Sequence, residues 1–167
     1  MADGSILRGV VHDPTAGAMA GEAGHAGLFT SAHDLSRFAR MILQGGKLQE
    51  TRILQPETVK LMSSVQTPER VAVRRGLGFD IDSPYAGPRG KIFPLGSFGH
   101  SGWTGTSLWL DPFSQTTVIF LSNRNHPSGG DVRKLRSQVG TLAAEATGFD
   151  FTTVSNALPQ VLSLIHI

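Results

Sequence analysis

The residues of this chain best equipped for chemistry gather in one stretch, Phe98-Gly99-His100-Ser101-Gly102-Trp103-Thr104-Gly105-Thr106-Ser107-Leu108-Trp109-Leu110-Asp111-Pro112. It combines a hydroxyl, an imidazole that titrates near neutral pH and closely spaced glycines. One chemistry open to such a set is attack by Ser101 itself, because Gly99-His100-Ser101-Gly102 approaches Gly-x-Ser-x-Gly. That motif needs a strand followed by a helix. Here Trp103 stands in place of the last glycine and strand-like sequence follows, which counts against it. The favoured reading is a substrate-lining strand that runs straight into two more strands. Side chains alternate faces along a strand, so His100 and Ser101 serve one cleft only if the strand lies at its rim. The plain structural alternative is a Gly-rich strand edge with a surface histidine.

Other chemistries are weaker. His12-Asp13 and His33-Asp34 are two His-Asp pairs without further ligands at helical spacing, so no metal is expected, and no cofactor either. The chain has no cysteine, which excludes disulfides and thiolate sites and leaves the compartment open. A net charge of +2 with no aromatic-basic interleaving argues against nucleic acid as a partner. The basic clusters Arg74-Arg75 and Arg133-Lys134-Arg136 read as solvated surface. No run of about 18 apolar residues is present to span a membrane. The polar start Met1-Ala2-Asp3-Gly4-Ser5 does not have the pattern of a signal peptide.

Around these residues the pattern lays out the supporting elements. The 167 residues, 40% of them hydrophobic, suit one domain with a sizeable core. Residues 1–29 are Gly- and Ala-rich without a period and read as an irregular approach segment. Ser31-Ala32-His33-Asp34 has the spacing of a capping box. Leu35, Phe38, Ala39, Ile42 and Leu43 then follow at i, i+3, i+4, i+7 and i+8, predicting an amphipathic helix that Gly45-Gly46 ends. Pro56 opens a second helix with Val59, Leu61 and Met62 on its buried side. Residues 71–81 read as a strand. Three antiparallel strands follow, at about 97–104, 106–110 and 116–122, with Asp111-Pro112-Phe113-Ser114 as the last turn. A closing helix at about 131–147 is expected to bury Val132, Leu135, Val139, Leu142, Ala143 and Ala146, and to stop at Gly148.

His100-Ser101-Gly102, the meander after it and Gly76-Leu77-Gly78-Phe79 together resemble the serine β-lactamase and penicillin-binding-protein family, in its His-x-Gly branch. The Gly21-to-Ser31 stretch resembles the Gly-Gly-x-Leu-x-Ser/Thr-Ser/Thr-Ala segment that precedes a helix in the same family. The resemblance covers about residues 9–148. It implies an α+β, partial β-lactamase/transpeptidase-like fold: the carboxy-terminal half, an antiparallel sheet packed by helices. It also implies site roles. Ser101 would hydrogen-bond the substrate's carboxylate or acyl carbonyl side, and His100 would replace the family's lysine and tune the proton network. Gly102 would let substrate approach the backbone, and the Trp103 N–H would form half of an oxyanion hole. Asn123 would lie next to the substrate carboxylate, although asparagine at a strand end is also an ordinary turn residue. Arg124 offers charge for a carboxylate, with a solvated arginine the plainer reading, and His25 reads as a structural histidine.

The family's nucleophile motif, Ser-x-x-Lys, is missing. Lys47, Lys60, Lys91 and Lys134 are preceded three positions earlier by Gln44, Glu57, Pro88 and Asp131. The second motif, Tyr-x-Asn or Tyr-x-Ser, fails at Tyr85-Ala86-Gly87. Without nucleophile and base, this chain by itself is expected to be inactive. The leading expectation is a fragment of a serine hydrolase acting through an acyl-enzyme on a small ester, amide or D-amino-acid peptide. D-alanyl-D-alanine carboxypeptidase-like and esterase-like members are the nearest in pattern; the compartment of the parent stays open, a periplasmic or secreted one being compatible. The expected partners are a small-molecule or peptidoglycan-like substrate and the missing amino-terminal half or a second copy. The alternatives are a non-enzymatic half-domain that binds a ligand or partner chain, or a hydrolase using Ser101 as nucleophile. Residues 1–161 are expected to form one part-domain. Residues 162–167 (Leu-Ser-Leu-Ile-His-Ile) back-translate to CTG-TCT-CTT-ATA-CAC-ATC, the end of a transposase adapter, and are expected to be a sequence-assembly scar.

Overall fold

The computed structural model describes residues 6–155, and the expected scar at 162–167 lies outside them. The chain divides between Asp34 and Leu35 into two compact units. The first contains α1, Pro14–Ala18, where an irregular segment was expected. Its start is built from standard parts: Pro14 lies in the first turn and the Asp13 carboxylate accepts from the Ala16 N–H at 2.7 Å. At the end of this unit the Ser31 hydroxyl accepts from the Asp34 N–H at 3.1 Å and donates to the Asp34 carboxylate at 2.8 Å. These bonds open α2, Ala32–Leu43.

The second unit carries the rest of α2 and all seven strands of the described residues. After α2 the Gly45 and Gly46 N–H groups turn back onto Ile42 O and Met41 O, and both glycines adopt positive φ, which closes the helix. A short hairpin pairs β1, Lys47–Leu48, with β2, Thr51–Arg52, and leads to α3, Pro56–Ser63. Val59 of α3 is buried, whereas Leu61, expected inside, is exposed.

The main sheet is an antiparallel meander in the order β3-β4-β5-β6-β7. Its strands are Arg74–Arg75, Asp80–Asp82, Phe98–Ser101, Ser107–Asp111 and Thr116–Phe120. The single strand expected over residues 71–81 is two strands instead. The Gly76 N–H bonds to Phe79 O at 2.9 Å, and this turn folds Arg75 back opposite Asp80. Between β4 and β5 the chain makes a 3-10 turn at Gly87–Arg89. After β7 comes α4, Arg133–Ala146, and a second 3-10 turn at Phe151–Thr153.

Alternation along β6 sorts two cores. Leu110 and Leu108 join Ile42, Met41, Val59, Phe79, Ile81 and Phe98, beside α2 and α3. Trp109 and its β7 neighbour Val118 join Ala86, Phe93 and Ala144, beside α4. The Trp109 indole N–H donates to the buried Ser97 hydroxyl at 3.0 Å, so the largest buried side chain carries no unpaired polar atom. Fully burying Leu110 or Ile81 contributes roughly 1.5–3 kcal/mol each.

α4 does not bury the face expected of it. Its buried residues are Arg136, Gly140 and Ala144, with Val139 and Ala143 packed beside them, while Leu135 and Leu142 are exposed. Gly140 sets this orientation, because a Cβ there would overlap the Pro88 carbonyl oxygen. The helix lies against the backbone of the 3-10 turn at a distance only glycine permits.

Candidate active site

Pairing along β5 stops at Ser101, opposite Ser107 of β6. The chain then makes a tight loop in which the Gly102 N–H donates to Thr106 O at 2.7 Å and the Gly105 N–H to Gly102 O at 3.2 Å. No hydrogen bond from the Trp103 N–H to another described residue is present. At this strand end opens a groove of about 450 Å³, lined by His100, Ser101, Gly102 and Trp103. The rim position required for His100 and Ser101 to share one cleft is thus met by the end of the strand.

The rest of the lining is cationic: Arg124, which the sequence offered as charge for a carboxylate, and Arg75, Arg133 and Arg136, which together with Tyr85 were missed by sequence reasoning. The clusters Arg74-Arg75 and Arg133-Lys134-Arg136 are therefore not simply solvated surface. Arg136 is 7% exposed and binds the loop from beneath, donating to Gly102 O at 2.7 Å and Gly105 O at 3.3 Å. Burial first, and then the charge of Arg124, hold its guanidinium below the ordinary arginine range. Arg124 is no free surface arginine either. It donates to Trp103 O at 2.7 Å and Gly130 O at 3.1 Å, and its guanidinium carbon sits 4.4 Å from the centre of the Trp103 ring. The Trp103 side chain is 70% exposed, so Arg124 and not a core is what packs against it. Arg133 is paired with Asp131 at 2.6 Å, and that pairing lowers the Asp131 carboxyl to about 2.

Asn123 does not line this groove. Its side-chain oxygen accepts from the N–H groups of Asn125 at 3.0 Å and His126 at 3.3 Å. That is the turn role open to any asparagine at a strand end.

His100 is tied on both ring nitrogens. Nδ1 lies 2.9 Å from Ser101 O and Nε2 2.8 Å from Nη2 of Arg75. Arg75 in turn reaches the carboxylate of the fully buried Asp80, Nε to Oδ1 at 2.8 Å. Three neighbouring strands make this row possible: Arg75 on β3 is opposite Asp80 on β4, and Asp80 is opposite Gly99, the residue before His100 on β5. The two His-Asp sequence pairs do not come together as metal sites. Asp13 caps α1 and binds His25 at 2.9 Å, as a structural histidine would, and the Asp34 carboxylate accepts from the Ser31 hydroxyl that caps α2. Among the described residues no cluster of three or more His, Asp or Glu could hold a metal ion, and no helix is long and apolar enough to cross a membrane.

The profile for Beta-lactamase matches residues 5–142, a span that takes in the antiparallel meander, the strand end at His100 and most of α4. The chain belongs to the beta-lactamase family. A protein of Escherichia coli (strain K12) named "Putative D-alanyl-D-alanine carboxypeptidase" is 33% identical over 161 residues, covering 93% of this chain and 36% of the relative. A protein of the same name from Salmonella gallinarum is 32% identical over 123 residues, covering 73% of this chain and 28% of its own length. The chain therefore spans only about a third of the curated relatives it matches. Among solved structures, a beta-lactamase from Mycobacterium bovis superposes with a TM-score of 0.56 at 21% identity, over 74% of this chain and 47% of that one. That match establishes the fold: a mixed α+β, partial β-lactamase architecture with a five-stranded antiparallel sheet.

Proposed function

We propose that this chain is the carboxy-terminal part of a serine hydrolase that acts through an acyl-enzyme, and that its groove receives the carboxy-terminal end of a D-amino-acid peptide. The observation that carries the reading is the convergence of Arg75, Arg124, Arg133 and Arg136 on the groove that Ser101 and Trp103 line. Such a surface suits a carboxylate, and a D-alanyl-D-alanine peptide ends in one. Identity of about a third with proteins named "Putative D-alanyl-D-alanine carboxypeptidase" supports the same choice.

In this reading the nucleophilic serine lies in the portion of the parent that this chain does not span. Its Oγ bonds to the penultimate carbonyl carbon, its proton passes to a base, and the carbonyl π electrons move to oxygen. The Trp103 N–H donates to that oxyanion. The C–N bond then breaks, and the terminal D-alanine leaves with a proton as the free amine. Water next cleaves the acyl-enzyme ester, regenerating the serine hydroxyl and releasing the shortened peptide acid. Ser101 orients the peptide by donating its hydroxyl to the terminal carboxylate. Arg136 acts beneath it, holding Gly102 and Gly105 in place. The strand-loop-strand course after Ser101 supports assigning Ser101 to binding and not to attack.

The test is a titration of the chain with an N-acylated D-alanyl-D-alanine peptide, followed by NMR shifts of the His100, Ser101 and Trp103 amides. Saturable shifts that disappear when the peptide carboxylate is amidated, and weaken at least tenfold in Ser101→Ala, are expected. Equal binding of acid and amide would overturn the reading. Labelling of Ser101 by a fluorophosphonate would return the nucleophile to this chain.

A further inference from the structure

We propose that Arg75 and Asp80 are positioning residues that fix His100 as its Nδ1–H tautomer, so that the groove meets a ligand with a tethered imidazole backed by a permanent cation. The argument begins with what each neighbour can do. Ser101 O, 2.9 Å from Nδ1, only accepts, so Nδ1 carries the hydrogen. The Arg75 guanidinium, 2.8 Å from Nε2, only donates, so Nε2 presents its lone pair. The two contacts are independent, and one neutral tautomer satisfies both. The opposite tautomer would set a carbonyl against a lone pair on one side and two N–H groups against each other on the other.

Asp80 explains why Arg75 stays in place. Its carboxylate is wholly buried; Oδ1 accepts from the Ser83 hydroxyl at 2.9 Å and forms an ion pair with Arg75, Nε lying 2.8 Å away. A buried carboxylate is strongly disfavoured without a paired cation, so Arg75 is held by its Nε while an Nη remains for the histidine. A lysine has one charged head and cannot offer that planar fork. The second Asp80 oxygen, Oδ2, has no hydrogen-bond partner and lies 3.7 Å from His100 Nε2, beyond hydrogen-bond reach. It is the acceptor Nε2 would turn to if Arg75 were removed. The other charged residues lining this groove, Arg124, Arg133 and Arg136, are all cations and offer Nε2 no acceptor. His100 therefore does not face the groove as a free base. It passes the pull of the guanidinium to the strand end, polarising its Nδ1–H against Ser101 O.

The consequence for a bound peptide rests on the hydrolase reading, but the tautomer does not, and the experiment separates them. The measurement is the long-range proton–nitrogen correlation spectrum of the ring nitrogens in the nitrogen-15-labelled chain, above the histidine titration range, with His100 assigned by its loss in His100→Gln. The expected spectrum shows Nδ1 protonated and Nε2 unprotonated. A protonated Nε2, or two nitrogens averaged by exchange, would overturn the proposal. Arg75→Met is expected to move the proton to Nε2, and Arg75→Lys, whose one ammonium cannot span both Asp80 and Nε2, to give mixed tautomers. An unchanged pattern in Arg75→Met would remove Arg75 from the role. If that variant does not fold, Asp80→Asn decides in its place. It keeps the shape but loosens the arginine, so it is expected to give mixed tautomers, and a wild-type pattern there counts against the proposal. Failure of the peptide titration beside a fixed Nδ1–H tautomer would sink the hydrolase reading alone.

Discussion

The two long helices cover the same sheet by different means. α2 presents aliphatic residues to the core it shares with Phe79, Ile81, Phe98 and Leu110, and Ile42 is 2% exposed. α4 presents Arg136, Gly140 and Ala144, leaving Leu135 and Leu142 outside. The first helix is seated on its core by apolar burial. The second is held by a close backbone approach at Pro88 and by a guanidinium that binds the loop carrying Gly102 and Gly105. The helix that supports the groove has given up apolar contact to reach the backbone it must hold.

The contrast breaks most visibly at its strongest point. Ile42→Ala is expected to lower the unfolding free energy by about 3 kcal/mol, through lost burial and the cavity left behind. Urea denaturation of the chain measures it, and a cost below about 1 kcal/mol would mean that α2 does not seat as described. On the other face the equivalent position is a glycine. Gly140→Val is expected to cost about 2–3 kcal/mol by overpacking, because the overlapped atom is the Pro88 carbonyl oxygen and not the end of a flexible side chain. A neutral or stabilising result, as a better helix former would give on a free helix surface, would show that α4 does not lie on that turn.

The same contrast explains what was legible in the sequence. α2 and its ends could be read because Leu35, Phe38, Ala39, Ile42 and Leu43 follow the helical period between a capping serine and two glycines. The meander could be read from alternating residues around Asp111-Pro112. The buried face of α4 could not, because glycine, alanine and arginine give no apolar signal, and Leu135 and Leu142 point the period the wrong way. Residues 71–81 alternate well enough to pass for one strand, and only the bond between Gly76 and Phe79 reveals the turn. At the site, His100 to Trp103 are contiguous and so were found together. Arg75, Arg124 and Arg136 come from three separate segments, and no spacing rule links them before the sheet forms. Asp13 before Pro14 was the overlooked signal for α1.

Arg136→Met tests whether the polar side of the contrast serves the groove or only the fold. Methionine keeps much of the apolar stem but leaves Gly102 O without the guanidinium, and the loss of charge-assisted bonds should cost about 2 kcal/mol. Gly105 O keeps the Ser122 hydroxyl at 2.8 Å and Gly102 O only the longer bond from the Gly105 N–H at 3.2 Å; the shorter of the two guanidinium bonds is the one lost at Gly102, so the damage is expected to concentrate there and at its neighbours. Amide exchange should rise at residues 102–106 more than in β6 or β7. A uniform rise across the sheet would make Arg136 a general stabiliser and take away its particular link to the loop.

The smallest expected effect is the sharpest control. Leu142→Ala removes as many side-chain carbons as a substitution that is severe in a core, yet Leu142 is 62% exposed. In this chain it should change stability by no more than about 0.5 kcal/mol. Set beside Ile42→Ala in the same denaturation series, it compares two aliphatic truncations on two helices with only orientation differing. Near-equal losses would mean that α4 is rotated to bury the leucine face and that Gly140 is not against Pro88. A wide gap would leave one account standing, in which the helix beside the groove is oriented by an arginine and a glycine while its leucines stay outside.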